Sequence, residues 1–324
     1  MSSLKRKVKV INVKPLMSDE DAEKLIGKGI SRNQIKLIVD EDCDVYSNVP
    51  GSSPKLLLKF RKRVLSQKNI KSFYDATYKI ANKKVRARPK TAGDMTGKTS
   101  VKSNIIGYFD KFSIKQKQRL KTKGLRVLNI PLVRETIFMI TNPDDMTKAL
   151  PLIEEISNKF KLIAPKEYKI TERYAKQTFL RLGKSVFSTV TLNINFRTFV
   201  HKDSGDLAES LGNLAVIEKG KYRGAETCFP QYGIGVNVRH GDILLMDVHQ
   251  PHGNLPFEPL TKDAERFSIV CYMRENLVKL TRGLSKTNTF ALLQQNRRLL
   301  DKDDDTKTVK ITMDVLKKLQ KEKK

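Results

Sequence analysis

The sequence predicts an α+β protein with a double-stranded β-helix (jelly-roll) core and flanking helices. Three observations carry this prediction. Short apolar runs with strand character follow one another from residue 186 onward, with Gly, Pro and Asn between them. Residues 143–160 instead have apolar residues at helical spacing. The chain has 324 residues, of which 39% are hydrophobic, and this suits one large domain with extensions or two domains.

Residues 1–95 are predicted to form a basic, partly helical N-terminal region. An acidic cluster, Asp40-Glu41-Asp42 with Asp44, lies within it. Residues 55–82 then predict one or two basic amphipathic helices. Residues 83–103 predict a basic loop with Gly, Pro, Ser and Thr, which either follows a phosphate backbone or is a solvated linker.

The core domain is predicted over residues 96–280. Its helix at 143–160, PDDMTKALPLIEEISNKF, has acids in the first turn, where they favour the helix dipole. The predicted strands after it are VFSTVTLNINF, LAVIE, IGVNV, DILLMDV and RFSIVCYM. Residues 281–324 are predicted to be a charged, partly helical tail.

The charge of the chain predicts a polyanionic partner. The net charge is +28 and is unevenly distributed. Residues 55–126 contain 22 Lys and Arg against three acids, whereas residues 201–280 contain nine against 11. We therefore expect nucleic acid, in particular DNA, to contact residues 55–126. The alternative is that a biased genome enriches lysine, but this does not explain the scarcity of acids in the segment.

Membrane and secretory features are missing from the sequence. It has no apolar run of about 18 residues, and its first ten residues have no apolar signal-peptide core. Cys43, Cys228 and Cys271 are far apart and lack C-x-x-C spacing. We therefore expect reduced thiols, no cysteine zinc site and a nuclear or cytoplasmic location.

The histidines are concentrated in the predicted β-rich part. All four lie within 52 residues, at His201, His240, His249 and His252. This clustering favours a metal site over isolated turn or core histidines, although His240, in RHGD, is expected to be one of the latter.

The strand pattern places one histidine at the end of a polar face. From Thr191 to His201 the even positions are mostly apolar and the odd positions mostly polar, and residues two apart share a face. Asn193, Asn195 and Arg197 are therefore candidates for lining a pocket that ends at His201 and Asp203. An ordinary solvent-exposed face is the alternative.

The pair His-x-Asp, with one distant histidine, supplies the three ligands of a 2-His-1-carboxylate site for Fe(II). His201 and Asp203 are the proposed pair, and by spacing either His249 or His252 completes the set. Asp206 is a weaker carboxylate candidate because it lies five residues from His201. A zinc hydrolase would use the same ligand types.

The next predicted strand, ERFSIVCY, distinguishes these possibilities. Arg266 and Ser268 lie two apart on one face of it, and a buried arginine binds a carboxylate through two hydrogen bonds. The distal carboxylate of 2-oxoglutarate requires such a group, whereas a hydrolytic zinc site does not. This favours an Fe(II)/2-oxoglutarate dioxygenase over a zinc protein of the cupin type.

A family resemblance rests on three stretches, TLNINFRTFVHKDSGD, FPQYGIGVNVRHGDILLMDVHQPHGNLPF and ERFSIVCYMRE, with weaker matches in IIGYFDK, PLVRETIF and IAPKEY. Over about residues 100–278 the chain resembles the TET and J-binding-protein group of Fe(II)/2-oxoglutarate dioxygenases, and more closely the J-binding-protein thymine hydroxylases. The resemblance implies His201, Asp203 and His252 as iron ligands. His252 is preferred to His249 because it stands in the H-G-N-x-P-F stretch. The resemblance also implies Arg266 and Ser268 as 2-oxoglutarate ligands.

The resemblance implies a reaction as well as a site. Fe(II), 2-oxoglutarate and O2 together would hydroxylate the 5-methyl group of a pyrimidine in DNA, most simply thymine to 5-hydroxymethyluracil. The motifs are more specific for the dioxygenase class than for the substrate. Oxidation of 5-methylcytosine, hydroxylation of a prolyl or lysyl side chain in protein, and a non-enzymatic nucleic-acid-binding protein with a degenerate site remain alternatives.

Overall fold

The computed structural model describes residues 7–49, 51–86, 89–111 and 133–299, which form a mixed α+β architecture. The strands are β1 (Lys9–Val13), β2 (Leu37–Val39), β3 (Cys43–Ser47), β4 (Lys55–Arg61), β5 (Val85–Arg86), β6 (Ser100–Phe109), β7 (Arg134–Glu135), β8 (Thr189–Ile194), β9 (Gly212–Lys219), β10 (Tyr222–Gly224), β11 (Thr227–Phe229), β12 (Ile234–Val236), β13 (Ile243–Met246), β14 (Gly253–Asn254), β15 (Phe257–Pro259) and β16 (Glu265–Tyr272). The helices are α1 (Asp19–Glu23), α2 (Gln67–Ala81), α3 (Pro89–Ala92), α4 (Ile137–Thr141), α5 (Pro143–Ile163), α6 (Pro165–Ala175), α7 (Glu275–Thr281) and α8 (Lys286–Leu299).

Two sheets face each other around an apolar cluster. In the described part of the chain the larger has ten strands, in the order β1-β3-β4-β13-β9-β16-β8-β6-β5, with β7 paired to β6. The smaller has the order β14-β11-β12-β2. Leu214 and Leu244 of the large sheet and Ile234 of the small one belong to the same buried cluster. The space between the sheets is therefore closed by side chains of both.

The opposite face of the large sheet is covered by helices. Phe267 and Ile269 of β16 pack in a second cluster with Phe73 of α2 and Phe160 of α5. Because side chains alternate along a strand, Arg266 and Ser268 of β16 lie on the other face, towards the small sheet.

Most elements of the predicted core domain are confirmed. Each of the five predicted strand segments contains a strand, namely β8, β9, β12, β13 and β16. The helix predicted at 143–160 is α5, and Pro143 occupies its first turn, where the missing N–H removes no helical hydrogen bond. These segments follow the local apolar pattern that predicted them.

The prediction of helix throughout residues 55–82 is wrong for its first part. Residues 55–61 are strand β4, and helix α2 begins only at Gln67, with Ser66 as its N-cap. Lys59 and Arg61, two residues apart, both form ion pairs with Asp44 of the neighbouring strand β3. Residues two apart in a strand lie on the same face, so both basic side chains reach β3. Because these positions are basic, the sequence did not show the alternation typical of a strand.

Strands β1, β3 and β4 of the N-terminal region are integrated into the large sheet. Strand β4 pairs with β13 of the predicted core domain, and β3 and β1 follow it outward. The division into residues 1–95, 96–280 and 281–324 stays a prediction, and one sheet includes strands from the first two parts. In the third part, α8 ends at Leu299, and residues 300–324 lie outside the described residues.

Within the described ranges, every helix is too short or too polar to cross a membrane.

Candidate metal centre

Two short backbone segments bring the predicted metal ligands together. The backbones of His201 and His252 exchange hydrogen bonds of 2.8 and 2.9 Å, and the amide of Asp203 donates to the carbonyl of Val248 at 3.0 Å. One potential ligand atom from each of His201, Asp203 and His252 lies within 4.8 Å of the other two. The structure therefore gathers the predicted pair and one distant histidine.

The strand before this site is shorter than the sequence predicts. The polar and apolar alternation predicted one strand up to His201, but β8 ends at Ile194. Asn195 has φ 49°, in the left-handed region, and its side chain accepts from the backbone N–H of Arg266 at 2.7 Å. This turn ends the strand, so His201 reaches the site through its pairing with His252 rather than through β8.

Hydrogen bonds fix which nitrogen of each histidine faces the centre. His201 Nδ1 lies 2.8 Å from the carbonyl of Phe199, and His252 Nδ1 lies 2.9 Å from the carbonyl of Gln250. A carbonyl only accepts, so each Nδ1 carries the proton and each Nε2 keeps its lone pair. The Nε2 atoms of His201 and His252 lie 3.6 and 4.0 Å from oxygens of Asp203. This is the tautomer that metal-binding histidines adopt.

The burial of His252 keeps its ring neutral. Its side chain is 5% exposed. Burial, with a contribution from neighbouring His201, lowers the pKa of His252 to about 4. The ring is therefore uncharged near neutral pH and available as a metal ligand.

Gly253 allows the two histidine-bearing segments to pack closely. A Cβ at this position would lie 2.9 Å from the carbonyl oxygen of Thr198 and 3.1 Å from backbone atoms of Phe199 and Val200. These neighbours are backbone, which cannot rotate away. The pairing of His201 with His252 thus requires glycine beside the ligand.

Gly253→Ala is expected to separate the two segments and weaken the metal centre. Such overpacking costs about 1–3 kcal/mol of unfolding free energy. Denaturant unfolding and an anaerobic Fe(II) titration measure the two effects. An unchanged unfolding midpoint together with unchanged metal affinity would contradict the close packing.

The other two histidines lie outside the trio. His249 donates its backbone N–H to Asp247 at 3.0 Å, and its buried Nε2 has no hydrogen-bond partner in the described part of the chain. The ring of His240 binds Gln67 at 2.9 Å and the backbone N–H of Glu218 at 3.2 Å. His240 thus has the structural surroundings that its sequence context predicts.

Arg266 is a buried cation whose hydrogen-bonding capacity is partly unused. It is 5% exposed, and burial lowers its pKa. Among the described residues its Nε and Nη2 atoms have no hydrogen-bond partner. Ser268, on the same face of β16, accepts from the side-chain amide of Asn193 at 3.3 Å. Such unpaired donors are costly unless a ligand satisfies them, and a carboxylate fits both.

The remaining predicted pocket residues have different surroundings. Asn193 lies beside Ser268, whereas Asn195 is exposed and holds the backbone of Arg266. Arg197 donates to the carbonyl of Ile30 at 3.0 Å, and its guanidinium lies 5.1 Å from the centre of the Phe199 ring. Asp206, the weaker carboxylate candidate, pairs with the backbone of Arg274.

Three residues near Arg266 were not identified from the sequence. Glu218 lies opposite Arg266 in the register of β9 and β16, and Arg239 pairs with Glu218 and covers the ring of Tyr222. Only tertiary pairing brings them together. The spacing of these residues gives no motif, so no sequence signal would have found them.

The fold and the site define a class of protein. A part-buried His-x-Asp pair gathered with a buried distant histidine, and an arginine with unused donors on the face of β16 towards the small sheet, are the residue types of a 2-oxoglutarate-dependent dioxygenase site. Residues 130–275 match the Tet_JBP family model, described as the oxygenase domain of the 2OGFeDO superfamily. The resemblance to the TET and J-binding-protein group is thereby confirmed.

Relatives from trypanosomatids agree with this match. The chain is 29% identical over 207 residues to the bifunctional helicase and thymine dioxygenase JBP2 of Trypanosoma cruzi, covering 64% of this chain and 18% of that protein. It is 32% identical over 194 residues to the thymine dioxygenase JBP1 of Trypanosoma brucei brucei, covering 59% and 21%. The chain thus spans about a fifth of the length of these relatives.

A solved structure, NgTET1 in complex with 5mC DNA, is similar with a TM-score of 0.49 and 12% sequence identity, covering 82% of this chain and 93% of that one.

Proposed function

We propose that the chain is an Fe(II)/2-oxoglutarate-dependent dioxygenase that hydroxylates the 5-methyl group of a pyrimidine in DNA, with thymine as the preferred base. The observation that carries the proposal is the convergence of His201, Asp203 and His252 within 4.8 Å. The Tet_JBP match and the relatives named thymine dioxygenases support the reaction and the base.

The three side chains fit Fe(II) as its protein ligands. Two Nε2 lone pairs and a carboxylate oxygen face one space, and such a set leaves other coordination positions open. When bound, Fe(II) with 2-oxoglutarate and O2 supplies the oxidation of a C–H bond. The carbonyls of Phe199 and Gln250 keep both rings in the orientation that binding requires.

Arg266 and Ser268 are proposed to bind the distal carboxylate of 2-oxoglutarate. The unused Nε and Nη2 donors of Arg266 suit two carboxylate oxygens, and the Ser268 hydroxyl lies on the same face. We assign the two facing sheets to a double-stranded β-helix, whose interior would hold the cosubstrate and exclude water.

The substrate base has to leave the DNA stack to reach a buried metal. Thymine and 5-methylcytosine share the 5-methyl group, so 5-methylcytosine is the second candidate for the same centre. A DNA substrate agrees with the nuclear or cytoplasmic location expected from the cysteines, all three of which are free and buried.

The test is a reaction with the purified, Fe(II)-loaded protein. A duplex containing both thymine and 5-methylcytosine is incubated with 2-oxoglutarate and air, and its nucleosides are measured by mass spectrometry. We expect 5-hydroxymethyluracil, absent when His201→Ala or Arg266→Ala replaces the native chain. Formation of succinate without a modified base would indicate that the substrate is RNA, or a prolyl or lysyl side chain of a protein. Absence of both products would overturn the dioxygenase assignment.

The predicted DNA-contacting segment, residues 55–126, includes residues 87–88 and 112–126, which lie outside the described residues; its described part contains two kinds of basic residue. Lys59 and Arg61 are paired with Asp44, and Lys62 is paired with Asp40. Lys84 and Arg86, by contrast, are exposed. We propose that phosphate contacts are made by exposed residues such as these, while the acidic cluster at 40–44 neutralises the beginning of the segment.

Lys84→Ala with Arg86→Ala is expected to weaken DNA binding in a salt-dependent way. Each lost phosphate contact lowers the slope of log affinity against log salt by about 0.9. Fluorescence anisotropy with a labelled duplex at several salt concentrations measures the slope. Lys59→Met is the control. A larger change of the salt slope in Lys59→Met than in the double variant would contradict the division of the basic residues into paired and exposed ones.

A further inference from the structure

The ligand loop, residues 203–207, begins at Asp203 and is held by the segment that follows β16. Two backbone hydrogen bonds of 3.1 Å join residues 205–207 to residues 273–275. At the middle of this pairing Asp206 lies opposite Arg274. The pairing of the two histidine ligands holds the chain before Asp203, and this second pairing holds it on the other side.

Arg274 is itself fixed from the opposite side by a buried acid. Its side chain is 3% exposed, and its Nε lies 2.5 Å from an oxygen of Asp110, whose side chain is 0% exposed. The other oxygen of Asp110 accepts from the side-chain amide of Asn276 at 2.8 Å. The backbone N–H of Arg274 donates to the hydroxyl of Ser188 at 3.0 Å. Because Asp110 directly follows β6 and Ser188 directly precedes β8, Arg274 is tied to the large sheet.

The guanidinium of Arg274 also packs against the ligand loop. Gly205 has φ 97°, in the left-handed region, and a Cβ at this position would overlap Arg274 Nη2. On the same loop an oxygen of Asp206 lies 4.0 Å from Nη1. Glycine thus allows the guanidinium to contact the loop backbone two residues from Asp203.

The Asp110–Arg274 pair is a poor source of stability. Desolvation of two buried charges offsets their attraction, and apolar side chains of similar volume often replace such a pair without loss of stability. Both side chains are almost fully buried, so this cost applies to them. We therefore look for the role of the pair in the geometry that it imposes on the ligand loop.

We propose that Arg274, held by Asp110, is a positioning residue for the metal ligand Asp203. It ties the ligand loop to the large sheet and so keeps the Asp203 carboxylate beside the Nε2 atoms of the two histidine ligands. This inference rests on the proposed function, because it treats Asp203 as a ligand of Fe(II). Loss of a group that holds a metal ligand, without binding the metal, typically lowers metal affinity about 10- to 100-fold.

The test replaces both members of the pair by apolar side chains, so that neither charge is left buried alone. Asp110→Leu with Arg274→Met is titrated with Fe(II) by calorimetry without oxygen, and its unfolding in denaturant is followed. Hydrogen exchange of the Leu207 amide is measured in the metal-free protein. We expect about 10- to 100-fold weaker Fe(II) binding, faster exchange at Leu207 and an unfolding midpoint close to that of the native protein.

Asp44→Leu with Arg61→Met is the matched control. These two side chains, each 14% exposed, form an ion pair between β3 and β4, which carry no predicted metal ligand. We expect native Fe(II) affinity and native exchange at Leu207 in this variant. An equal loss of Fe(II) affinity in the control would overturn the positioning role, because the effect would then be general to ion pairs of the sheet.

Unchanged Fe(II) affinity or unchanged Leu207 exchange in the Asp110 and Arg274 double variant would also overturn it. If that variant does not fold, Arg274→Lys decides the point, because lysine keeps the charge but lacks the planar guanidinium that packs on Gly205. Unchanged Fe(II) affinity in Arg274→Lys would then overturn the role. If the native protein binds no Fe(II), the proposed function fails, while faster exchange at Leu207 would still show that the pair holds the ligand loop.

Discussion

His252→Ala is expected to abolish Fe(II) binding, whereas His249→Ala is expected to retain it. The Nε2 of His252 faces Asp203 and its Nδ1 is held by a carbonyl, while His249 lies outside the group of three ligand atoms. Loss of a group that only supports a ligand costs about 10- to 100-fold in metal affinity or activity, so loss of the ligand should exceed about 100-fold. An anaerobic calorimetric titration with Fe(II) measures the difference in metal affinity between the two variants.

The same pair of variants decides between the two histidines that sequence spacing leaves open. His240→Ala serves as a second control, because His240 binds Gln67 and Glu218. Thermal unfolding of each metal-free variant separates loss of a ligand from loss of fold. If His249→Ala loses Fe(II) and His252→Ala keeps it, the third ligand is His249 and the trio is wrong.

Local patterns were sufficient to predict most strands and the long helix of the core region, and the three side chains that the structure brings together. The apolar runs gave β8, β9, β12, β13 and β16, and helical spacing gave α5. His-x-Asp and R-x-S are local motifs as well, since each places two side chains within three residues. Such motifs can be recognised in a single sequence because their residues are near neighbours along the chain.

Long-range pairing decided what the sequence did not predict. Strand β4 was predicted as helix because its pairing with Asp44 of β3 and with β13 is tertiary. The end of β8 depends on Asn195, whose turn is held by Arg266, 71 positions away. The ion pair of Arg239 with Glu218, which lies opposite Arg266 in the strand register, is likewise visible only in the folded chain. Each of these features depends on which segments become neighbours.

Arg266→Met is expected to weaken 2-oxoglutarate binding strongly and to leave Fe(II) binding intact. Removing one partner of a buried, hydrogen-bonded charge pair costs about 2–5 kcal/mol, which corresponds to roughly 30-fold to more than 1000-fold in affinity. Arg266 is not among the three ligand atoms, so the metal titration should match that of the native protein. Arg223→Met, an exposed change on β10, is the control.

The stability of the metal-free protein gives the second half of this prediction. If Arg266 were a structural cation, its removal would lower the free energy of unfolding. Instead, two of its nitrogens are buried and unsatisfied, and an apolar side chain of similar length removes that cost. Denaturant unfolding of ligand-free Arg266→Met should therefore give a free energy at least as high as that of the native chain. Lost cosubstrate binding together with retained or increased stability would mark Arg266 as a residue kept for its ligand, whereas a clear loss of stability would assign it to the fold.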